Sequence, residues 1–390
     1  MEPSRIKDTA LASQVSEGEL AWSRVISPVT EHYCRSIAQR DYHGKRLAYW
    51  GHITRQNIIL MMSALKQTGA EIVIGACNVD STDDTAAAYA SALGIGVYGW
   101  QGMSRQDYTE NLAIVRRFDA DYLCDMGGEL CVAYLDKTPP VKGALEATMT
   151  GLHLLRNQNL PFPVFNWNDI PLKDLHNRYH VGDGVWPAFN YLTSMSLYAK
   201  HVLVIGCGPV GKGIAERARA LGALVLVADL DPVRLLEAGH FGCEAVSLDE
   251  GLKRSNIIVT ATGVNGVLRA EHLCRMRPGT ILFNAGHSNR EIDIDWLYAQ
   301  PHQRIKPHIE RFNLDHTHVY LLAQGSLLNL AGGAGVYGVD QFDLFTAIML
   351  LGITWMFDGL SPGIQPGLQR YPQHLEREVA ETALRLHRLE

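Results

Sequence analysis

The sequence predicts an α/β protein of two domains, in which a doubly wound domain is inserted into another α/β domain. Three observations predict this. The chain has 390 residues, more than one core usually organises, because single cores stop growing near ~250–300 residues. Short apolar runs alternate with helical patterns, which is typical of parallel sheets covered by helices. A glycine-rich turn between an apolar run and a helical pattern marks the inserted domain.

That turn follows the apolar run 201–205 and reads Gly206-Cys207-Gly208-Pro209-Val210-Gly211. A helical pattern over 212–221 and a second apolar run over 223–228 come next, and Asp229 ends the unit. The pattern predicts a strand, a tight turn, a helix and a second strand that closes on an acid.

Each part of this unit has a reason in dinucleotide binding. Gly206 permits the tight turn, Gly208 lets backbone approach a pyrophosphate, and Gly211 lets helix and strand pack closely. The helix N-terminus offers unpaired N–H groups to the phosphates. Asp229 is placed to accept both ribose hydroxyls, which favours NAD over NADP. The unit therefore predicts a Rossmann-type domain that binds NAD.

Composition excludes several classes of protein. The net charge is −6 without any basic run, so neither a nucleic acid nor a membrane surface is expected as a partner. Seven scattered cysteines without a C-x-x-C pair predict reduced thiols, with no disulfide frame and no metal site. The N-terminus has no signal-peptide pattern and no apolar stretch could span a bilayer. We expect a cytoplasmic protein.

The first domain shows the same alternation as the second. We predict strands over 46–50, 71–74, 96–98 and 122–124, and helices over 29–40, 56–67, 84–92 and 107–117. Ser81 or Thr82 is expected to cap helix 84–92. Ligands gather where parallel strands end, so this pattern singles out five side chains: His52, Thr54, Cys77, Thr82 and Asp125.

Beyond these strands we predict a helix over 143–156, which carries Glu146, Thr148 and Thr150 and is broken by Pro161 and Pro163. A polar cluster then precedes the inserted domain and contains Asn168, Asp169, Lys173, His176 and Asn177.

Within the inserted domain, further strands are predicted over 244–247, 257–260 and 280–283. The loops after the last two should face the cofactor and contain Thr260, Thr262, Gly286 and His287. Gly332 to Gly335 looks like a hinge, and the apolar helix 342–357 then returns to the first domain, before a terminal helix over 376–389. The expected domains are 1–182 with 338–390, and 183–337.

Several strings, in this order, resemble the S-adenosyl-L-homocysteine hydrolase family from about Leu47 to Leu351. They are Gly51-His52-Ile-Thr54, Cys77-Asn78 with Ser81-Thr82 and Asp84, Asp125 with Gly127-Gly128, Thr148 and Thr150-Gly151, Asn168-Asp169, Lys173, the glycine-rich turn, Asp229 with Asp231-Pro232, Thr260-x-Thr262-Gly263, Asn284-x-Gly286-His287, Glu291-Ile-Asp293 and Asn329-Leu330.

The resemblance implies a reaction that uses a tightly bound NAD, recycled within each turnover. NAD oxidises the 3′-hydroxyl of a purine nucleoside, a base removes the acidified C4′ proton, and the 5′ substituent is eliminated. Water then adds to C5′ and the hydride returns. The resemblance also implies a homo-oligomer, a dimer or a tetramer, and a hinge that closes on the ligand.

The same resemblance assigns roles residue by residue. Catalysis would use His52 and His287 beside C5′, Lys173 on the oxidised hydroxyl, and Asp125 in the same cleft. Substrate would contact Thr54, Gln56, Cys77, Thr82, Glu146 and either His176 or Asn177. NAD would contact Thr148, Thr150, Gly206, Cys207, Gly208, Pro209, Val210, Gly211, Asp229, Thr260, Thr262, Gly286 and Asn329.

The sequence departs from the family mainly at the expected active site. The second of two neighbouring acids is Ala147, and the second of two aspartates is Met126. His176 or Asn177 replaces an aspartate. The Gly-His-Pro gate is absent after Gly335, and the sequence stops at Glu390 without the family's C-terminal arm.

Because His52, Lys173 and His287 are kept while carboxylates are lost, the leading hypothesis is a nucleoside 5′-dehydratase. It would form a 4′,5′-didehydro adenine nucleoside in specialised metabolism such as nucleoside antibiotic synthesis. The alternative is a true S-adenosyl-L-homocysteine hydrolase. Two other readings are a non-catalytic NAD-loaded regulatory protein and an NAD-dependent 2-hydroxy-acid dehydrogenase, for which Arg290, Glu291 and His287 are a poor match.

Overall fold

The computed structural model describes residues 2–55, 57–287, 289–331 and 339–387. The chain forms two compact units: the first contains Met1–Lys173 and Val339–Glu390, and the second contains Asp174–Gly338. The second unit begins before the expected residue 183, because the turn that follows Asp174 packs on the helix after the glycine-rich loop. There, a Cβ on Gly213 would stand 1.7 Å from the Arg178 carbonyl oxygen.

The strands, in chain order, are β1 Arg46–Gly51, β2 Glu71–Ala76, β3 Gly96–Tyr98, β4 Tyr122–Asp125, β5 Gly143–Glu146, β6 Pro163–Asn166, β7 His201–Ile205, β8 Leu224–Ala228, β9 Glu244–Ala245, β10 Ile257–Thr260, β11 Thr280–Asn284, β12 His302–Lys306, β13 Ile309–Leu314, β14 Thr317–Leu322 and β15 Gly367–Arg370.

The α-helices are α1 Glu17–Ile26, α2 Pro28–Ile37, α3 Ser63–Gln67, α4 Asp84–Ala92, α5 Arg105–Arg117, α6 Glu129–Ala133, α7 Met149–Leu155, α8 Pro171–Leu175, α9 Gly182–Thr193, α10 Pro209–Ala220, α11 Pro232–His240, α12 Leu248–Arg254, α13 Ala270–Leu273, α14 Ile294–Tyr298, α15 Leu328–Ala331, α16 Asp343–Asp358 and α17 Gln373–His387. Asn57–Met62 and His176–Val181 are π-helical turns. Short 3-10 turns lie at Thr9–Gln14, Asn289–Glu291, Ala323–Gly325 and Val339–Phe342. No helix among the described residues is both long enough and apolar enough to cross a membrane.

The first unit has a seven-stranded sheet in the order β3-β2-β1-β4-β5-β6-β15. All neighbouring strands are parallel. The chain therefore builds outward from β1 in one direction and from β4 in the other. The strand order thus reverses between β1 and β4. Ligands of doubly wound sheets bind at the carboxyl ends of the two strands that flank such a reversal.

The second unit has an eight-stranded sheet in the order β12-β13-β14-β11-β10-β7-β8-β9. Its parallel part consists of the six strands β14-β11-β10-β7-β8-β9 and has the strand order of a Rossmann domain. The strand order reverses between β7 and β10. An antiparallel extension, β12 and β13, continues beyond β14. The predicted α/β class is confirmed.

Two local predictions were wrong. Residues 143–146 form strand β5, and only the shorter helix α7 follows it. Ala144 and Leu145 are completely buried between β4 and β6, so pairing on both sides overrides their helical propensity. Helix α4 is capped by Asp83, whose carboxylate accepts from the N–H groups of Thr85 and Ala86, so neither Ser81 nor Thr82 is the cap.

Helix α16 joins the end of the chain to the first unit's core. Phe357 packs against Tyr122 of β4, with ring centroids 5.0 Å apart, and Trp355 packs against Phe165 of β6. At its first residue, the Asp343 carboxylate accepts from the N–H groups of Val29 and Thr30 at 2.9 and 2.7 Å. The carboxylate thereby satisfies donors at the start of α2 that lack helical partners. The expected hinge, Gly332 to Gly335, lies outside the described residues.

Candidate active site

His52 follows β1 at the reversal point of the first unit's sheet. Its Nδ1 lies 2.6 Å from the Ser81 hydroxyl, and its carbonyl accepts from the Tyr49 hydroxyl at 3.0 Å. Both the ring and the backbone are therefore fixed in place. A histidine held through Nδ1 by a neighbouring hydroxyl can present Nε2 for proton transfer.

Asp125 ends β4 on the other side of the same reversal point and lies opposite Glu146 in the parallel register. Asp125 and Glu146 are both completely buried. Burial raises the pKa of Asp125 to about 7, and raises the pKa of Glu146 well above its usual value, with the Asp125 charge as the second cause. The pair is placed to hold a proton near neutral pH.

Glu146 organises the loops around it. Its carboxylate accepts from the N–H and hydroxyl of Thr148, both at 2.7 Å, and from the N–H groups of Gly127 and Gly128. Thr148 in turn caps α7 by accepting from the Gly151 N–H at 2.9 Å. The ends of β4 and β5 are therefore tied together by one carboxylate. A direct contact of Glu146 with substrate stays a prediction.

Four buried polar atoms at the carboxyl edge of this sheet have no hydrogen-bond partner among the residues that the structure describes. They are Thr54 Oγ1, Thr82 Oγ1, Asp125 Oδ1 and Trp167 Nε1. Buried polar groups are nearly always paired in folded proteins. Unpaired donors and acceptors at the ends of parallel strands therefore indicate a place where a polar ligand completes the bonding.

Lys173 is also buried in the first unit. Its ammonium lies 5.0 Å from the centre of the Phe345 ring, within the range of a cation–π contact. Cys77 is buried too, and burial raises the pKa of its thiol well above its usual value. The protonated thiol is therefore not suited to nucleophilic attack, which needs the thiolate. The contact of Cys77 with substrate stays a prediction.

The glycine-rich loop of the second unit requires glycine for two different reasons. Gly206 has a φ of +93°, and a Cβ on Gly211 would stand 1.8 Å from the Gly206 carbonyl oxygen. At Gly208, by contrast, a Cβ would meet only the Arg234 guanidinium, at 3.8 Å. The space above Gly208 is therefore left open to a ligand, which is what a bound pyrophosphate needs.

Asp229 connects the end of β8 to that loop. Its carboxylate accepts from the Cys207 N–H at 2.5 Å and from the Asp231 N–H at 2.9 Å. The Arg234 guanidinium lies 3.8 Å away. Each carboxylate oxygen has a second lone pair, so these bonds leave capacity for ribose hydroxyls.

The loops after β10 and β11 are held by Glu291, a buried residue of the second unit. Its carboxylate accepts from the Thr262 N–H and hydroxyl and from the Gly263 N–H, at 2.7 to 2.9 Å. Asn284 similarly accepts from the Thr260 hydroxyl and the Gly286 N–H. The Asn329 Oδ1 is buried without a partner in the described part of the chain. These residues fit a dinucleotide, since there is open space above Gly208 in the glycine-rich loop and the Asn329 Oδ1 could accept a hydrogen bond from the ligand.

Most of the predicted site residues gather at one sheet edge in each unit. The first unit brings together His52, Thr54, Cys77, Thr82, Asp125, Glu146 and Thr148, with Thr150 in α7 and Lys173 in α8. The second unit brings together the loop Gly206, Cys207, Gly208, Pro209, Val210 and Gly211 with Asp229, Thr260, Thr262, Gly286 and His287. His176 and Asn177 lie in a π-helical turn of the second unit. Gln56 lies outside the described residues.

Sequence reasoning missed three residues of these edges as site residues. Ser81 orients His52, Glu291 holds Thr262, and the Trp167 indole N–H has no partner among the described residues. Trp167 could have been found by the rule that ligands gather at strand ends. It was missed because Pro161 and Pro163 hid strand β6, although proline is tolerated at the first residue of a strand.

Comparison with known proteins agrees with this architecture. The family model of the S-adenosyl-L-homocysteine hydrolase NAD binding domain matches residues 177–335, and that of S-adenosyl-L-homocysteine hydrolase matches residues 29–138. An S-inosyl-L-homocysteine hydrolase from Methanopyrus kandleri is 32% identical, over 97% of this chain and 92% of the relative. An adenosylhomocysteinase from Sulfurisphaera tokodaii is 30% identical, over 97% and 93%. One from Archaeoglobus fulgidus is 33% identical, over 93% and 91%.

Proposed function

Because the chain belongs to the S-adenosyl-L-homocysteine hydrolase family, we propose that it oxidises a sugar hydroxyl of a purine nucleoside and then eliminates the 5′ substituent. Where that substituent is hydroxyl, the enzyme is a nucleoside 5′-dehydratase. The net reaction removes the C4′ hydrogen and the 5′-hydroxyl as water and leaves a 4′,5′-alkene. No net oxidation occurs, because the hydride removed from the sugar is returned.

The observation that carries this proposal is the apolar replacement of two carboxylates. Met126 and Ala147 occupy positions where the resemblance gives a second acid, and both are buried directly after Asp125 and Glu146. Two negative charges and their hydrogen-bond acceptors are therefore missing from the carboxyl edge. A sugar whose hydroxyls differ from those of ribose could bind in the altered site, with a leaving group other than a thiol.

The cofactor is NAD, which supplies the hydride acceptor for the sugar hydroxyl. We assign Lys173 to that hydroxyl, since a buried lysine beside Phe345 can orient the oxygen by donating a hydrogen bond to it. In its neutral amine form the same side chain would take up the hydroxyl proton. We assign proton transfer at C5′ to His52 and His287. Hydroxide leaves poorly, so elimination needs a general acid, and a histidine oriented as His52 is by Ser81 is suited to donate that proton.

A second candidate function is hydrolysis of an S-nucleosyl-homocysteine. The names of the relatives favour it, since they include an S-inosyl-L-homocysteine hydrolase and adenosylhomocysteinases. The same oxidation and elimination would release homocysteine, and water would then add to C5′. The two candidates differ only in the leaving group and in this final addition.

The test presents the purified NAD-loaded enzyme with adenosine, psicofuranosyl adenine, and the adenosyl and inosyl conjugates of homocysteine. Products are followed by mass spectrometry and free thiol by a colorimetric assay. We expect loss of water from a free nucleoside and an alkene product. Rapid homocysteine release without alkene from either free nucleoside would establish the hydrolase instead.

A further inference from the structure

Trp167 is a completely buried tryptophan whose indole Nε1 has no hydrogen-bond partner among the residues that the structure describes. The other two completely buried tryptophans are paired. The Trp50 indole donates to the Tyr108 hydroxyl at 3.3 Å, and the Trp186 indole donates to the Ile214 carbonyl at 3.0 Å. A buried indole N–H that lacks an acceptor costs free energy, so the exception at Trp167 calls for an acceptor beyond those that the described residues provide.

Trp167 lies at the carboxyl edge of the first unit's sheet. In the parallel register Glu146 pairs with Asn166, and the backbone N–H of Trp167 donates to the backbone carbonyl of Glu146 at 3.1 Å. Ala147 and Trp167 therefore leave the sheet side by side. The small side chain of Ala147 gives room beside the large indole, at the position where the resemblance gives an acid.

The indole and the proposed catalytic lysine both contact the ring of Phe345. The indole ring packs on Phe345 with centroids 4.8 Å apart, and the Lys173 ammonium lies over the same Phe345 ring. Trp167 and Lys173 therefore share one aromatic neighbour near the start of α16. A ligand oxygen held by the lysine would lie in the neighbourhood of the indole.

We propose that Trp167 is a substrate-binding residue whose Nε1–H donates a hydrogen bond to the 2′- or 3′-hydroxyl oxygen of the nucleoside. This inference rests on the proposed function of the site and adds a specificity element to it. An indole N–H is only a donor, whereas a carboxylate is only an acceptor. The pairing of Ala147 with Trp167 thus reverses the hydrogen-bond direction that the sugar meets at this edge.

The experiment observes the indole directly in the NAD-loaded wild-type enzyme, with tryptophan labelled by ¹⁵N at Nε1. The Trp167 signal is assigned as the one that disappears in Trp167→Phe. On addition of adenosine we expect this signal to move downfield in the proton dimension and its exchange with solvent to slow. A Trp167 signal that does not move at saturating adenosine overturns the proposal.

Binding measurements provide the second readout. Trp167→Phe should weaken adenosine binding by roughly threefold to tenfold, the effect of one ordinary hydrogen bond. That penalty should vanish for whichever of 2′-deoxyadenosine and 3′-deoxyadenosine lacks the contacted hydroxyl. Trp355→Phe, a change at a half-buried tryptophan of α16, should leave adenosine affinity unchanged. A penalty that is equal for adenosine and both deoxy analogues would show a merely structural role and overturn the inference.

These readouts separate this inference from the proposed function. Adenosine binding requires neither alkene formation nor homocysteine release. An enzyme that releases homocysteine and forms no alkene, while the Trp167 signal shifts, would refute the dehydratase and retain the indole contact. An enzyme that forms the alkene while the signal stays still would do the reverse.

Discussion

The Glu291 carboxylate accepts hydrogen bonds from both the backbone N–H and the hydroxyl of Thr262, at 2.9 and 2.7 Å. Because the Gly263 N–H donates to the same group, the loop after β10 depends on one buried acid. Glutamine at position 291 would direct amide hydrogens at these donors. We expect Glu291→Gln to reduce the NAD content of the purified protein severalfold, measured after acid release. Glu271→Gln, at an exposed glutamate, should retain wild-type NAD, and equal content in both variants would contradict the assignment.

Gly211 allows helix α10 to begin against the glycine-rich loop. An alanine methyl would stand 1.8 Å from the Gly206 carbonyl oxygen, so the loop must move. We expect Gly211→Ala to lose bound NAD and to unfold at a lower temperature. The matched control is Gly239→Ala in α11, where a Cβ meets nothing within 4 Å. That change should stabilise the protein by about 0.5–1 kcal/mol, the usual helix gain of alanine over glycine. Calorimetry measures the unfolding temperature of both variants. A Gly211→Ala protein that unfolds at the wild-type temperature would contradict the prediction.

Asp125 should make stability depend on pH. Burial raises its pKa in the folded state to about 7, from a usual value of 3.8, so the folded state binds more protons than the unfolded state across this interval. The contribution to stability is then fully present below about pH 4 and is lost as pH rises towards about 7. In urea unfolding at pH 5 and pH 8, Asp125→Asn should lose less stability with rising pH than the wild type does. Asp136→Asn, at an exposed aspartate, should retain the wild-type slope, and identical slopes in all three proteins would be evidence against a raised pKa.

Lys173 is assigned to the first chemical step, oxidation of the sugar hydroxyl. We expect Lys173→Met to retain NAD, because the lysine is not among the residues assigned to the dinucleotide. The change should slow reduction of the cofactor by adenosine at least a hundredfold, given the usual size of acid–base effects. Stopped-flow absorbance of the reduced nicotinamide measures this step without regard to the leaving group. Lys142→Met, at an exposed lysine, is the control. Normal reduction by Lys173→Met would remove the lysine from catalysis.

Ala147 is proposed to help select the leaving group. Restoring an acid by Ala147→Glu places a new carboxylate at a buried position next to Glu146 and near Asp125, so the melting temperature should fall. If the missing acid determines specificity, the ratio of homocysteine release to alkene formation should rise. Ala147→Gln separates charge from size and should leave this ratio near that of the wild type. An unchanged ratio in the glutamate variant would show that specificity lies elsewhere.

The glycine-rich unit could be predicted because its requirements are local. Gly206 needs a positive φ and Gly211 needs close contact with backbone only a few residues away. Both requirements therefore show in a short stretch of sequence. The strand ends that carry His52, Thr54 and Asp125 were found for the same reason, since apolar runs and polar breaks repeat at short intervals. Residues 143–146 were predicted to be helical but form a strand, because burial between two neighbouring strands outweighed their helical propensity.

The sequence by itself thus determined the α/β class, the dinucleotide fingerprint and most of the residues at the sheet edges. Only the tertiary structure decided which polar atoms there lack a partner within the described part of the chain, as Trp167 Nε1 and Asp125 Oδ1 do. It also decided which acids hold loops, as Glu146 and Glu291 do. The physical reason is that local patterns limit backbone angles and the spacing of apolar residues. Burial and hydrogen-bond pairing instead depend on groups distant in sequence, which meet only when the sheets assemble.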